Sequence, residues 1–336
     1  MSIVSIWPYL TKLLPTVLSA VLRQVFHRLL YGPLVASWPW YVELRMVALR
    51  AFLVASAGGG DRSRRRALEA ELDPPLPRSL RRIMTSQPAT VGGISGEWVR
   101  RDHARHEDPT ILYLHGGAYL AGSSATHRRF ISRLAWATRA TAFAPDYRLA
   151  PQHKFPAAVD DAEAAYVGLL ELGVAPGRLI VAGDSAGGGL ACALLQRLRD
   201  HGHPQPAGAV LFSPYTDLEH TAPSIQRNAA TDYLPLGPIT ANTFYLGEAD
   251  PKDPQASPMY GDYSGVAPML IFAGGREMIL DDSVRLVEKA RADGAAVTLL
   301  VEVDMFHVWP ALLPNHEATL RTLTAVAEFV LARTKA

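Results

Sequence analysis

The stretch Gly183-Asp184-Ser185-Ala186-Gly187-Gly188 decides how this chain is read. It follows Leu179-Ile180-Val181-Ala182, a short apolar run rich in β-branched residues. It precedes Leu190 to Leu198, whose apolar spacing predicts a helix. A serine between two glycines at a strand-to-helix junction sits on a sharp, strained turn. A side chain at either flanking glycine would clash with the neighbouring strand or helix. The helix that follows aims its N-terminus at the serine, where negative charge develops during nucleophilic attack. A Gly-rich turn with an idle serine has the same pattern, so the rest of the chain must decide.

The chain has 336 residues, 49% hydrophobic and 19% charged, with a net charge of +1. That length and apolar content suit one large α/β domain with a subdomain and exclude a disordered protein. The charge balance gives no general electrostatic reason to bind nucleic acid. Arg62, Arg64, Arg65 and Arg66, with Arg78, Arg81 and Arg82, read as a solvated helix face, because no aromatic residues are interleaved with them. Cys192 is the single cysteine, so neither a disulfide framework nor a cysteine-based metal site is available. It falls on the helix after Ser185 and reads as a small buried apolar residue.

Residues 1 to about 57 are strongly apolar. Met1 to Leu22 carries one charge, Lys12, and two prolines, Pro8 and Pro15; Leu29 to Val42 is a second uncharged run. A spanning helix needs about 20 uninterrupted apolar residues. Here the prolines, Lys12, Arg23, His27 and Arg28 interrupt the runs. No basic segment precedes the apolar core, so a cleaved secretory signal is not expected and the setting is read as intracellular, cytoplasmic or peripherally membrane-associated. The segment reads as amphipathic helices lying over the active site as a lid. Its aromatic and basic residues also suit a membrane surface. Gly58-Gly59-Gly60 breaks the pattern, and from about Ala89 the texture changes to short strands. The division expected is an N-terminal helical cap segment over 1–88 and a catalytic domain over 89–336, with a cap insertion at about 219–264.

Thr110 to Leu114 is a buried strand that runs into His115-Gly116-Gly117-Ala118-Tyr119. Backbone N–H groups beside glycines are free to point inward and hold the oxyanion of a tetrahedral intermediate, with the Ala186 N–H as partner. A phosphate cradle would need a Gly-x-Gly-x-x-Gly or Walker pattern, and neither occurs. Further strands are expected at Thr141 to Ala144, Ala209 to Phe212, Met269 to Phe272 and Val297 to Val303. Helices are expected from Pro156 to near Gly173, from Ser283 to Ala292 with Asp281 or Asp282 as N-cap, around Pro238 to Tyr245, and over 316–333. Alternating strands and helices argue a mostly parallel sheet covered on both faces.

A serine nucleophile needs a base, and the base needs an acid. His307 follows the last strand and so lies at the carboxyl edge of the sheet; His316 lies a turn further, in or capping the terminal helix. Glu277 is the first carboxylate after Met269 to Phe272, whereas Asp281 and Asp282 read as helix caps. The order Ser185, Glu277, His307 is the order of an α/β-hydrolase triad, with Asp281 as the competing acid.

These motifs resemble the hormone-sensitive-lipase-like, or family IV, carboxylesterases. The resemblance rests on His115-Gly116-Gly117, on Tyr147 to Pro151 leading into Phe155-Pro156-Ala157-Ala158, and on Gly183 to Gly188. It extends to Asp253-Pro254 with Ser257-Pro258, to Glu277 to Ser283, and to His307-Val308-Trp309. Ala118 stands where the family has a third glycine, and Glu277 where it usually has aspartate. The resemblance implies an α/β-hydrolase fold with a helical cap and a serine hydrolase of short to medium acyl esters or lactones. Ser185, Glu277 and His307 would be catalytic. Gly116, Gly117, Ala118 and Ala186 would form the oxyanion hole, the last three as donors and Gly116 shaping the loop, with His115 and Asp184 in support. Asp184 reads equally well as an ordinary buried carboxylate. No metal or organic cofactor is implied, and a homodimer is left open. An acyltransferase or cyclising enzyme would use the same triad, and some similar proteins are amide deacetylases. A non-catalytic receptor of the same fold would be expected to lack the histidine.

Overall fold

Side-chain alternation along the strands decides which layer each residue feeds. The computed structural model describes residues 7–57, 76–105, 107–234 and 244–334. Eight strands form one sheet: β1 Met84–Val91, β2 Ile94–Arg101, β3 Thr110–Leu114, β4 Thr141–Pro145, β5 Leu179–Asp184, β6 Gly208–Phe212, β7 Met269–Gly274 and β8 Val297–Glu302. Their spatial order is β1-β2-β4-β3-β5-β6-β7-β8. β1 and β2 pair antiparallel, as do β2 and β4; every other pair is parallel.

Leu112, Leu114, Val181, Leu211 and Ile271 point to one face of the sheet. There they meet three helices: α5 Ala157–Glu171, α6 Ala186–Asp200 and α8 Leu280–Ala292. Ile111, Tyr113, Ile180, Ala182, Val210 and Phe272 point to the other face, against α4 Ser124–Thr138 and α10 Glu317–Thr334. Near-continuous burial of β3, β5, β6 and β7 is what a sheet covered on both sides requires.

The N-terminal segment forms two helices, α1 Trp7–Tyr31 and α2 Trp40–Ala57. α1 is continuous for 25 residues and runs through Pro15. No helix among the described residues is long and apolar enough to cross a membrane. α2 and the turn before it dock on the catalytic layer. Val35, Trp38, Val42 and Met46 join the buried cluster that holds Phe306 and Tyr233. The Ser37 hydroxyl donates to Asp304 at 2.7 Å, and the Trp38 indole N–H donates to the Asp304 carbonyl.

Several boundaries move. β1 starts at Met84 after the short helix α3 Arg78–Arg81, so it crosses the division expected at 88/89. α4 was not foreseen. α8 begins at Leu280 with Ile279 at its N-cap, so Asp281 and Asp282 are first-turn residues rather than caps. Their carboxylates accept from neighbouring segments instead: Asp281 from the Ser224 N–H at 2.8 Å, Asp282 from Thr216 and Asp217 N–H at 3.1 Å each. The insertion carries a short helix, α7 Ser224–Arg227, and after β8 comes another, α9 Trp309–Leu312. Gly58 to Arg66, and the helix expected around Pro238 to Tyr245 up to residue 243, lie outside the described residues.

Candidate active site

Parallel strands end on one edge, and the loops leaving that edge carry the candidate residues. β5 delivers Ser185 at φ 51°, ψ −121°, a strained conformation for a residue with a side chain. Its N–H donates to the Phe212 carbonyl at 2.9 Å, and its carbonyl accepts from the N–H groups of Tyr215 and Gly189 at 2.9 and 3.0 Å. The turn is therefore tied to β6 and to α6. A Cβ on Gly187 would lie 2.0 Å from the Leu114 carbonyl oxygen, and one on Gly183 would lie 2.3 Å from that of Gly187. Backbone fills both spaces, which is why the serine is bracketed by glycines.

β7 delivers Glu277 and β8 delivers His307. Both are buried, and His307 Nδ1 lies 3.3 Å from Glu277 Oε2. That pairing leaves Nε2 as the free edge of the ring, the edge a nucleophile would use. Burial pulls the imidazole pKa down, but Glu277, then Asp232 and Asp184, hold it above the ordinary histidine value. Neighbouring backbone pins both loops. Arg276 N–H donates to Met305 O at 2.9 Å, Gly275 N–H to Glu302 O at 2.9 Å, and Val308 N–H to Ser213 Oγ at 3.0 Å. Asp281 engages Ser224 and Arg227 instead, so of the two candidate acids it is Glu277 that meets the histidine.

The loop after β3 is equally built. Gly117, Ala118 and Tyr119 all have positive φ, at 126°, 57° and 60°. Ala118 thus holds a left-handed conformation that favours glycine, at a cost of about 1 kcal/mol. His115 is buried and stacked on Tyr147 at 4.2 Å between ring centroids, and its carbonyl accepts from the Tyr147 hydroxyl at 2.6 Å. Of the four residues expected to form an oxyanion hole, Gly116 is the one expected to shape the loop. Its N–H already donates to Asp184 Oδ1 at 3.0 Å, so it shapes the loop. The N–H groups of Gly117, Ala118 and Ala186 meet no acceptor among the described residues. Asp184 also accepts from the Tyr113 hydroxyl at 2.6 Å and lies 3.5 Å from His127 Nε2. Burial would raise its pKa, but His127 and Tyr113 bring it below the usual carboxylate value. Asp184 therefore ties the strand that ends before Ser185 to the loop after β3 and to α4.

A family model described as the alpha/beta hydrolase fold matches residues 111–311. The chain belongs to this family. Within the α/β-hydrolases it stands with the hormone-sensitive-lipase-like group. It is 36% identical to a crystallised esterase of the bacterial hormone-sensitive lipase family, with a TM-score of 0.79 over 87% of this chain and 98% of that one. A crystal structure of the esterase EstE5 soaked with p-nitrophenyl butyrate is 38% identical, with a TM-score of 0.77 over 87% and 99%. Among sequence relatives, an acetyl-hydrolase of Streptomyces hygroscopicus is 46% identical over 66% of this chain and 74% of its own length. An esterase of Acinetobacter venetianus is 34% identical over 72% and 80%.

This α/β-hydrolase has a second buried carboxylate beside His307 and Glu277 that sequence order could not place. Asp232 lies in the insertion, and its Oδ1 accepts from Tyr233 N–H at 2.8 Å and His307 N–H at 3.3 Å. Its Oδ2 accepts from Met278 N–H at 2.7 Å, one residue past Glu277. Burial, helped by Glu277 and opposed by His307, pushes Asp232 up to about 6. Tyr245, further along the same insertion, stacks on Tyr119 of the loop after β3 at 3.9 Å. The insertion thus touches both halves of the site. Cys192 is buried, and burial pushes its thiol up to about 12, as an inert packing residue requires.

Proposed function

We propose that this hydrolase cleaves carboxylic esters through an acyl-enzyme on Ser185. The observation that carries the reading is the buried Glu277–His307 pair at the strand edge that also presents Ser185 at positive φ. His307 takes the proton from Ser185 Oγ as Oγ attacks the ester carbonyl. The N–H groups of Gly117, Ala118 and Ala186 hold the oxyanion, a contribution that at each donor is worth about 3 kcal/mol. The protonated imidazole, oriented by Glu277, gives its proton to the leaving alcohol. Water, deprotonated by His307, then releases the acid and regenerates Ser185.

Short acyl groups are the substrate class we favour. The acetyl-hydrolase name of one relative and the butyrate ester soaked into a neighbouring structure support that choice. A chain-length series of p-nitrophenyl esters, run beside Ser185→Ala, tests it. Turnover highest on acetyl to hexanoyl esters, and lost in the variant, is expected. A folded protein inactive on every ester would defeat the hydrolase reading.

We further propose that α1 seats on a lipid surface. Leu14, Leu18, Leu22, Phe26, Leu29 and Leu30 are each 49–73% exposed and share one stripe of the helix. Arg23 and His27 flank that stripe, and Tyr31, Trp40 and Tyr41 follow it in the chain, all exposed. An apolar face edged by basic and amphipathic aromatic residues suits a bilayer interface. Wild-type protein should sediment with vesicles containing phosphatidylglycerol, and Leu22→Glu/Phe26→Glu should not. A stable dimer in solution, dissociated by the same pair of substitutions with no vesicle binding, would assign the face to a second copy.

A further inference from the structure

α6 begins at the nucleophile and ends, about 22 Å away along its axis, at a group of side chains with no part in ester cleavage. His201 follows the last residue of α6, and Gly202, at φ +72°, turns the chain so that His203 returns to the same side. Three backbone bonds fix that turn: His201 N–H to Arg197 O at 2.9 Å, Gly202 N–H to Arg199 O at 3.0 Å and His203 N–H to Leu198 O at 2.8 Å. Glu163 faces the turn from α5. Its Oε1 lies 2.5 Å from His201 Nδ1 and 3.5 Å from His203 Nε2. One ligand-type atom from each of the three residues falls within 4.8 Å of the other two.

We propose that Glu163, His201 and His203 form a zinc-class divalent metal site, with water completing the tetrahedron. Tetrahedral zinc, with bonds of about 2.0–2.1 Å, holds its donor atoms roughly 3.3 Å apart, and the two nitrogen–oxygen separations here bracket that value. The donor set of two imidazoles and one carboxylate suits zinc and excludes calcium or magnesium, which take oxygen donors. The carboxylate is already oriented, because Arg197 Nε donates to the other oxygen, Oε2, at 2.8 Å. Such a bond to the outer oxygen of a ligand is how metal sites fix their carboxylates. Arg197 is itself balanced by Asp160 at 2.7 Å. Glu163, Asp160 and Arg197 together carry one net negative charge, so a divalent cation meets attraction there. The side chains of His201 and His203 are 49% and 34% exposed, which leaves an open approach for the ion and its water.

The test uses the full chain, stripped with a chelator and then titrated with Zn²⁺ against a chromogenic zinc indicator, with Co²⁺ absorption as a second readout. One equivalent should bind, with the intense visible bands of tetrahedral cobalt. His203→Ala and Glu163→Gln should each weaken binding at least about tenfold, while a control, His316→Ala, should leave it unchanged. Zinc should raise the thermal midpoint of the wild type and not that of His203→Ala. Ester turnover should be the same in His203→Ala as in the wild type, which separates this site from the catalytic one. Equal zinc affinity in wild type and His203→Ala, or no zinc bound by the wild type, would overturn the proposal and leave the cluster as an ion pair.

Discussion

Asp232 holds His307 by its backbone while Glu277 holds the same residue by its ring. The Asp232 carboxylate accepts the His307 N–H at 3.3 Å and the Met278 N–H at 2.7 Å, so one side chain from the insertion positions both loops of the Glu277–His307 pair.

Asp232→Asn should therefore lower kcat roughly tenfold with KM little changed, as expected when catalytic groups drift by fractions of an ångström. The carboxylate also raises the His307 pKa. Removing its charge should move the acid limb of the kcat/KM profile to lower pH, because a base with a lower pKa stays unprotonated further down the scale. An unshifted profile would reduce Asp232 to a packing role.

Glu277→Gln should lower kcat by roughly 10³–10⁴-fold with the fold intact, since the amide no longer stabilises the imidazolium or its tautomer. Asp281→Asn should change turnover by less than about threefold, because Asp281 serves Ser224 and Arg227. Turnover of the same ester by the two variants decides between the acids; collapse of the second alone would reverse the assignment.

Asp282 should make stability depend on pH. Burial, with Asp217 close by, pushes its pKa up to about 8, whereas an unfolded aspartate titrates near 4. Between those values the folded state retains a proton that the unfolded state has lost. The contribution is thus full below about pH 4 and declines as pH rises toward 8. Asp282→Asn keeps an acceptor for the Thr216 and Asp217 N–H groups and removes the titration. Denaturant midpoints from about pH 5 to 8 should fall in the wild type and fall less in the variant.

Gly187→Ala should cost about 3 kcal/mol or prevent folding, because its new methyl meets the Leu114 and His115 carbonyl oxygens at 2.0 and 2.6 Å. Gly177→Ala, with nothing within 4 Å, should stay within about 0.5 kcal/mol of the wild type. Denaturant melts of the two variants measure the contrast.

What the sequence reveals is whatever topology constrains locally. Ser185, the His115-Gly116-Gly117 loop, Glu277 and His307 all follow strands whose apolar runs are unmistakable, and parallel strands deliver their exits to one edge. Asp232 sits in a Pro- and Gly-rich insertion, where nothing in the local pattern says which side chain turns inward. Asp281 and Asp282 misled because acidic residues favour both the cap and the first turn of a helix, and only tertiary partners at 216–217 and 224 separate the two. That Gly116 shapes the loop is legible in the motif, but its partner, Asp184, lies 68 residues away in the chain and is not. The extent of α1 is not legible in the sequence, because Pro15 is a helix breaker by rule and this helix absorbs it.

The parallel strands also give the molecule two unequal rims. The candidate residues hang from the strand ends after Leu114, Asp184, Gly274 and Glu302, while the exposed turn at Gly177 leads into β5 from the opposite end. A foreign peptide spliced in at Gly177, or a tether to a solid support attached there, would load the far rim and leave the mouth of the enzyme unobstructed. The fold thus comes with its own handle for fusion and immobilisation, one that requires no change to any residue near Ser185.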